Sequence, residues 1–209
     1  MVIVESPNCV DAETQARAAA KETGQAFISP YNDIRVIMGQ GTIGLEIYEQ
    51  LEGQELDAIF VSVGGGGLIS GVGLYLKSIL PSCEIVGCQP LNSNVMQSLQ
   101  AGRILTDVEE LPTLSDGTAG GIEDSITFGI CQNVVDRFVT VSEGEIAAAM
   151  LWSLEKEKMT IEGAAAVVIA ALQKDLERYQ GKTVALLLCG RNVSETVLQS
   201  LQEKRDLAH

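Results

Sequence analysis

The stretch Val61–Leu80, VSVGGGGLISGVGLYLKSIL, sets four consecutive glycines between two apolar segments. Glycines in series carry a high conformational-entropy cost on folding. They are expected where something approaches the backbone too closely for a side chain. The run before them, DAIFVSV (Asp57–Val63), reads as a strand buried on both faces. A helix is expected from about Leu68 to Leu80. Open α/β sheets bind ligands beyond the carboxyl ends of their strands. A helix start there offers free N–H groups and a partial positive charge. The loop is therefore expected to hold a small anion, most simply a phosphate. A bare strand-to-helix turn is the competing reading, and it needs only one or two glycines.

Two phosphate motifs do not fit. The dinucleotide pattern G-x-G-x-x-G meets Ile69 when started at Gly64 and Ser70 when started at Gly65. The following strand ends at Gln89, where a dinucleotide site wants an acidic residue for the ribose. Gly66 and Gly71 have P-loop spacing, but Val72 stands where the lysine belongs.

Outward from the loop, strands and helices alternate. MVIVE (Met1–Glu5) is expected as a strand, and DAETQARAAAKETG as a helix with Asp11 at its N-cap and Gly24 past its end. QAFISP is expected as a short strand. GTIGLEIYEQL is expected as a helix, from Ile43, Ile47 and Leu51 at four-residue spacing. EIVGCQP, RFVTVS and TVALLLCG are expected strands. Ser142 is expected to cap the helix EGEIAAAMLWSLEKEK, followed by IEGAAAVVIAALQKDLERY and SETVLQSLQEKR as further helices. Residues from the Gln89 strand to about Phe128 give no clear pattern. The alternation predicts an α/β fold with an open, mostly parallel, twisted sheet and helices on both faces.

Composition narrows the function classes. Of 209 residues, 46% are hydrophobic and 20% charged, as in a folded globular protein. Lys+Arg number 14 against Asp+Glu 28, a net charge of -14, which repels nucleic acid. Cys9, Cys83, Cys88, Cys131 and Cys189 are odd in number and lack C-x-x-C spacing, so reduced thiols and a cytoplasmic location are expected. No apolar stretch is long enough for a bilayer, so no membrane partner is expected. A strand at the first residue suggests a beginning cut from something longer.

Several segments together carry a resemblance: GQGTIGLEI (Gly39–Ile47), VSVGGGGLISG (Val61–Gly71), SDGTAGG (Ser115–Gly121), TIEGAAA (Thr160–Ala166) and LLCGRN (Leu187–Asn192). In this order they resemble fold-type II pyridoxal-phosphate enzymes, the tryptophan synthase β-like group. The likeness is nearest to serine/threonine ammonia-lyases (threonine dehydratases) and serine racemase. It implies pyridoxal 5′-phosphate as cofactor and an amino acid as substrate. It implies a remnant of the smaller α/β domain over residues 1–38 and the large cofactor-binding domain over 39–209. Gly64, Gly65, Gly66, Gly67 and Leu68 would hold the cofactor phosphate through backbone N–H groups. Cys189 would face the pyridine nitrogen as a neutral thiol, and Glu162 would lie near the ring. Asp116 and Gly117 would form a loop beside cofactor and substrate, and Asn192 belongs to the same cofactor set. Taken alone, Cys189 reads as a buried strand cysteine, Glu162 as a helix-start glutamate, and Asp116–Gly117 as a turn.

The sequence also departs from the family. The Schiff-base lysine lies in a segment like S-x-K-x-R-G, and none of Lys21, Lys77, Lys156, Lys158, Lys174, Lys182 or Lys204 has that context. The S-x-G-N-H segment is absent too. No catalytic residue is therefore assigned, and His209 is no substitute. Some relatives bind a divalent metal through a glutamate after the EIVGCQP strand and an acid nearby. Gln89 and Asn94 stand there instead, so no metal is expected. The resemblance implies the C-terminal portion of an ammonia-lyase, inactive as this chain alone, with homo-oligomers or a complementing N-terminal fragment as partners. A non-catalytic phosphate-binding partner of full-length subunits and a racemase are the alternatives.

Overall fold

The computed structural model describes residues 9–93, 95–105, 111–119 and 126–207. The expected Met1–Glu5 strand, Asn94, Gly120, Gly121 and His209 lie outside these. The described residues form helices α1 (Cys9–Thr23), α2 (Ile34–Gln50), α3 (Gly67–Ile79), α4 (Val95–Ala101), α5 (Ile126–Val134), α6 (Glu143–Trp152), α7 (Gly163–Lys174) and α8 (Glu195–Leu207). Strands β1 (Ala58–Ser62), β2 (Glu84–Pro90), β3 (Arg137–Val141) and β4 (Val184–Leu186) make a parallel sheet in the order β3-β2-β1-β4. The expected α/β architecture is what the chain adopts.

Strand alternation sorts the core into two halves. Ala58 and Phe60 of β1, with Val86 and Cys88 of β2, face α6, α7 and α8. Ile59, Val61 and Val63 face the other way, onto Ile69, Val72 and Leu76 of α3 and Cys131 of α5. β1 is buried along its whole length, as a continuous apolar run in a central parallel strand should be. Phe60 in register with Val86 and Leu186 is one such fully buried side chain; each contributes roughly 1.5–3 kcal/mol.

Ser142 caps α6: its hydroxyl accepts from the Glu145 amide, and the Glu145 carboxylate accepts from the Ser142 amide. α6 passes into a π-helical turn at Ser153–Glu157, and a 3-10 turn follows α7 at Leu176–Tyr179. Both expected long helices therefore end earlier than their apolar patterns suggest. Two other expectations fail. α1 begins no later than Cys9, so Asp11 lies inside it rather than at its cap; an acid is favoured at either place. Residues 25–29 form no strand. The apolar pattern there had no neighbouring strand to pair with in the described sheet. The 38/39 division proposed from the resemblance falls within α2.

α2 and α3 touch backbone to backbone. A Cβ on Gly71 would lie 2.2 Å from the Ile37 carbonyl oxygen and 2.7 Å from the Gly41 nitrogen. Gly39, also helical, has open space around it. Glycine-to-alanine in a helix normally gains up to about 1 kcal/mol. Gly39→Ala should show that gain, whereas Gly71→Ala should lose about 2 kcal/mol or more because neither helix can yield locally. Urea denaturation midpoints of the two variants against wild type check this opposite sign.

Candidate functional site

The chain leaves β1 for β2 and β3, then returns through α6 and α7 to β4 on the other side of β1. That reversal opens a crevice at the carboxyl ends of β1 and β4, where ligands of open sheets bind. Val63 donates its amide to the Cys88 carbonyl at 2.9 Å, which ends the ladder. The chain then turns through the glycines into α3. Gly66 sits at φ +83 as N-cap, and the Ser70 amide returns to its carbonyl at 3.0 Å. The amides of Gly67, Leu68 and Ile69 therefore precede the helical ladder, at the positive pole of α3.

Each glycine also has a close protein neighbour. A Cβ on Gly64 would meet the Gly117 carbonyl oxygen at 3.2 Å. On Gly65 it would lie 2.3 Å from the Tyr31 ring, and on Gly67 it would lie 2.8 Å from the Tyr31 Cα. On Gly66 it would lie 3.1 Å from both Cys131 Sγ and Thr127 Cβ, in a conformation that already favours glycine. The premise that a turn needs only one or two glycines does not hold here. Packing accounts for all four, and the anion reading rests on the amides and the space beside them.

That space is a cavity of about 380 Å³, a size ordinary for a small-molecule site. Gly64, Gly65, Gly66, Gly67, Leu68, Gly117, Glu162 and Cys189 line it together, from four separate parts of the chain. Asn192 does not line it. Its amide donates to Glu162 Oε2 at 3.0 Å. Asp116 is exposed and accepts from the Gly117 amide at 2.9 Å, outside the cavity wall.

Glu162 occupies the N-cap position of α7, but its side chain caps nothing. Its amide donates to the Gly190 carbonyl at 3.2 Å, and its carboxylate packs onto Gly190 so closely that a Cβ there would overlap it. Glu162 thus fixes the turn that carries Cys189. The Cys189 thiol donates to Ser62 Oγ at 3.8 Å, and the Ser62 hydroxyl donates to the Ala164 carbonyl at 2.5 Å. Burial pushes the Cys189 thiol above its ordinary range; the Ser62 contact pulls it down, and the Glu162 carboxylate pushes it up. The thiol is accordingly neutral near pH 7.

Among the described residues no lysine lines the cavity. Lys77 is bound to Asp136 at 2.7 Å, Lys174 to the Thr140 carbonyl at 3.2 Å, and Lys182 lies over the Tyr179 ring. Lys158, which lines a separate cavity behind Cys189, donates to the Glu155 carbonyl. Gln89 is fully buried; its amide donates to Ser93 Oγ at 2.7 Å, and its Oε1 has no partner among the described residues. Among the described residues there is no group of three or more potential metal ligands. No described helix is long and apolar enough to cross a membrane.

Sequence reasoning missed Ser62, Tyr31, Gln40, Thr118 and Glu13, all of which line the cavity. Ser62 left a signal: a hydroxyl inside an apolar central strand needs a partner. Gln40 and Thr118 lie inside the quoted segments GQGTIGLEI and SDGTAGG without having been singled out, whereas Tyr31 and Glu13 arrive through tertiary contact and left no signal.

An open parallel sheet with an amide-lined crevice at its reversal point is the frame of a cofactor-binding α/β enzyme. The sequence matches the pyridoxal-phosphate dependent enzyme family over residues 2–190, and the chain belongs to that family. It is 41% identical over 204 residues to an L-threonine ammonia-lyase of Thermotoga maritima, covering 97% of this chain and 50% of that one. It is 40% identical over 187 residues to a serine racemase of Arabidopsis thaliana, covering 87% of this chain and 55% of the relative. The processed form of threonine deaminase isoform 2 from Solanum lycopersicum superimposes with a TM-score of 0.86 at 33% identity, over 99% of this chain and 57% of that one. The chain spans about half the length of the curated relatives it matches.

Removing the Ser62 hydroxyl takes away the contact that lowers the Cys189 pKa. Ser62→Ala should shift the pH profile of Cys189 alkylation upward, with labelling at pH 8 slowed about threefold. Glu162→Gln should shift it downward. Mass-spectrometric labelling of the Cys189 peptide across pH reads both shifts.

Proposed function

We propose that this chain supplies the phosphate- and ring-binding part of a pyridoxal-phosphate-dependent ammonia-lyase that eliminates the β-hydroxyl of serine or threonine. The products are a 2-oxo acid and ammonia. The carrying observation is the convergence of Gly64–Leu68, Glu162 and Cys189 on one cavity. The cofactor, when bound, supplies an electron sink for the carbanion formed next to the amino group.

The residues present fit that group. Unpaired amides at the α3 start suit a phosphate, and the cavity beyond them has room for a ring. Cys189 is open to the cavity, yet the protein around its thiol desolvates it enough to raise its pKa; it would face the ring nitrogen as a neutral group, without the charge that holds a proton there. Glu162 and the Asn192 amide hold the Cys189–Asn192 turn in place. Gly117 and Thr118 would wall the substrate side.

Taking the α-proton needs a base at the cavity, and among the described residues no lysine stands there. These residues alone are thus expected to bind the cofactor without turning over substrate. A complementary N-terminal segment bearing the S-x-K-x-R-G motif would restore turnover. Racemisation is the second reading, favoured by the 40% identity to the Arabidopsis serine racemase. Chiral chromatography of L-serine reactions of the complemented protein separates the two.

Pyridoxal phosphate should bind the isolated chain with a dissociation constant of about 0.1–1 mM, as expected for a phosphate grip with no covalent link. Inorganic phosphate should compete, and pyridoxal lacking the phosphate should bind at least about tenfold more weakly. Gly66→Asp should abolish binding, and Cys189→Ala should change it little. Calorimetric titration reads all of these, and the pyridoxal comparison does not depend on a variant's folding. Equal binding of pyridoxal and its phosphate would refute the amide cradle. Borohydride reduction with peptide mapping should find no stoichiometrically modified lysine.

A further inference from the structure

β1 has one polar side chain, Ser62, at the strand end that opens on the cavity. Ser62 is buried, and a buried hydroxyl places its single hydrogen on an acceptor. That acceptor is the Ala164 carbonyl in the first turn of α7, 2.5 Å away. A carbonyl cannot donate, so this bond has only one direction. The Ser62 oxygen is left with lone pairs for its other neighbour, Cys189 Sγ at 3.8 Å. Only the thiol can supply a hydrogen to that contact. The β1–β4 register, which sets Phe60 against Leu186, holds the two side chains at this distance. From the other side Glu162 holds the turn, its carboxylate accepting the Asn192 amide at 3.0 Å.

We propose that Ser62 is a positioning residue for the ring end of the cavity: it takes the Cys189 hydrogen, so that the thiol turns sulfur lone pairs and no donor toward the ligand. On the cofactor reading above, on which this rests, a ring nitrogen lies opposite the sulfur. A thiol has one hydrogen, and here it is spent on Ser62. An unprotonated ring nitrogen facing Cys189 therefore receives no hydrogen bond from it. The Glu162 carboxylate, packed against the same turn, accepts only and supplies none either. The Cys189 wall thus selects a ring by its outline, and the nitrogen adds nothing to affinity there. Without the Ser62 oxygen the thiol hydrogen would be free to turn into the cavity, and the same wall would begin to discriminate in favour of a ring nitrogen.

Infrared spectroscopy reads the direction of the thiol hydrogen with no ligand present. The S–H stretch of Cys189, isolated as the difference between wild type and Cys189→Ala, should lie at the lowered frequency of a donating thiol. Ser62→Ala should move it up to the frequency of a free one, with unchanged far-UV circular dichroism. A wild-type band already at the free-thiol frequency would overturn the proposal, whether or not Ser62→Ala folds. So would a band that a folded Ser62→Ala leaves in place. A ligand pair reads the consequence. Benzyl phosphate and its pyridine counterpart, with the nitrogen meta to the methylene and unprotonated at neutral pH, differ only at that ring atom. NMR titration of the full chain should find their affinities equal within about twofold. In Ser62→Ala the pyridine should bind about threefold more tightly than the benzene ring, and Ser62→Ala combined with Cys189→Ala should lose that preference. A wild-type preference for the pyridine of about threefold or more would overturn the proposal. If neither phosphate binds, the cofactor reading fails, while the S–H band still decides where the thiol hydrogen points.

Discussion

The site depends on the pairing of β1 with β4. The Leu187 amide donates to the Phe60 carbonyl at 3.1 Å, and the Asp57 amide donates to the Thr183 carbonyl at 2.9 Å. Asp57 adds its carboxylate to the Thr183 amide at 2.8 Å. These bonds join segments more than a hundred residues apart and place Cys189 against Ser62. Without them the glycine loop and the Cys189 turn would share no cavity. Yet β4 is three residues long, sits at a sheet edge and is only half-buried. The turn with the Cys189 thiol thus follows directly on the least protected strand of the sheet. Local opening there costs less than opening at β1, which is buried throughout.

The glycine loop is a place where two demands coincide. Tyr31 lies against Gly65 and Gly67, the Thr127–Cys131 face of α5 lies under Gly66, and Gly117 abuts Gly64. The loop is pressed from three directions, which fixes its backbone and hence the direction of its amides. Anion recognition by N–H groups gains from such rigidity, because the ordering cost is met during folding rather than during binding. Packing and ligand binding are not rival explanations for the glycines. Close packing is what makes the amides a usable cradle.

Central elements were legible in the sequence and peripheral ones less so, for a physical reason. β1 and β2 are covered on both faces, so their continuous apolar runs marked them almost to the residue. Ser142 followed by Glu145 gave the α6 start because a capping box is local chemistry. Residues 25–29 carry the same strand-like composition, but a strand exists only when a neighbour pairs with it. α4 and α5 lay in a stretch where glycine and threonine blurred the helical period. At the site, Gly64–Leu68, Gly117, Glu162 and Cys189 were marked by a resemblance in motif order. Tyr31 and Glu13 reach the cavity only through tertiary contact, which local sequence does not encode.

Burial does opposite things at the two ends of the cavity. At the glycine end Gly66 and Gly67 are buried, which lowers the local dielectric and strengthens the pull of the helix-start amides on an anion. At the Cys189 end it suppresses ionisation, and the nearby Glu162 carboxylate suppresses it further. A thiolate there would stand beside the Glu162 carboxylate, so the Cys189 end stays uncharged while the α3 start presents partial positive charge. One cavity thus offers an anion a single preferred end, and the direction in which a phosphate-bearing ligand would enter follows from that asymmetry.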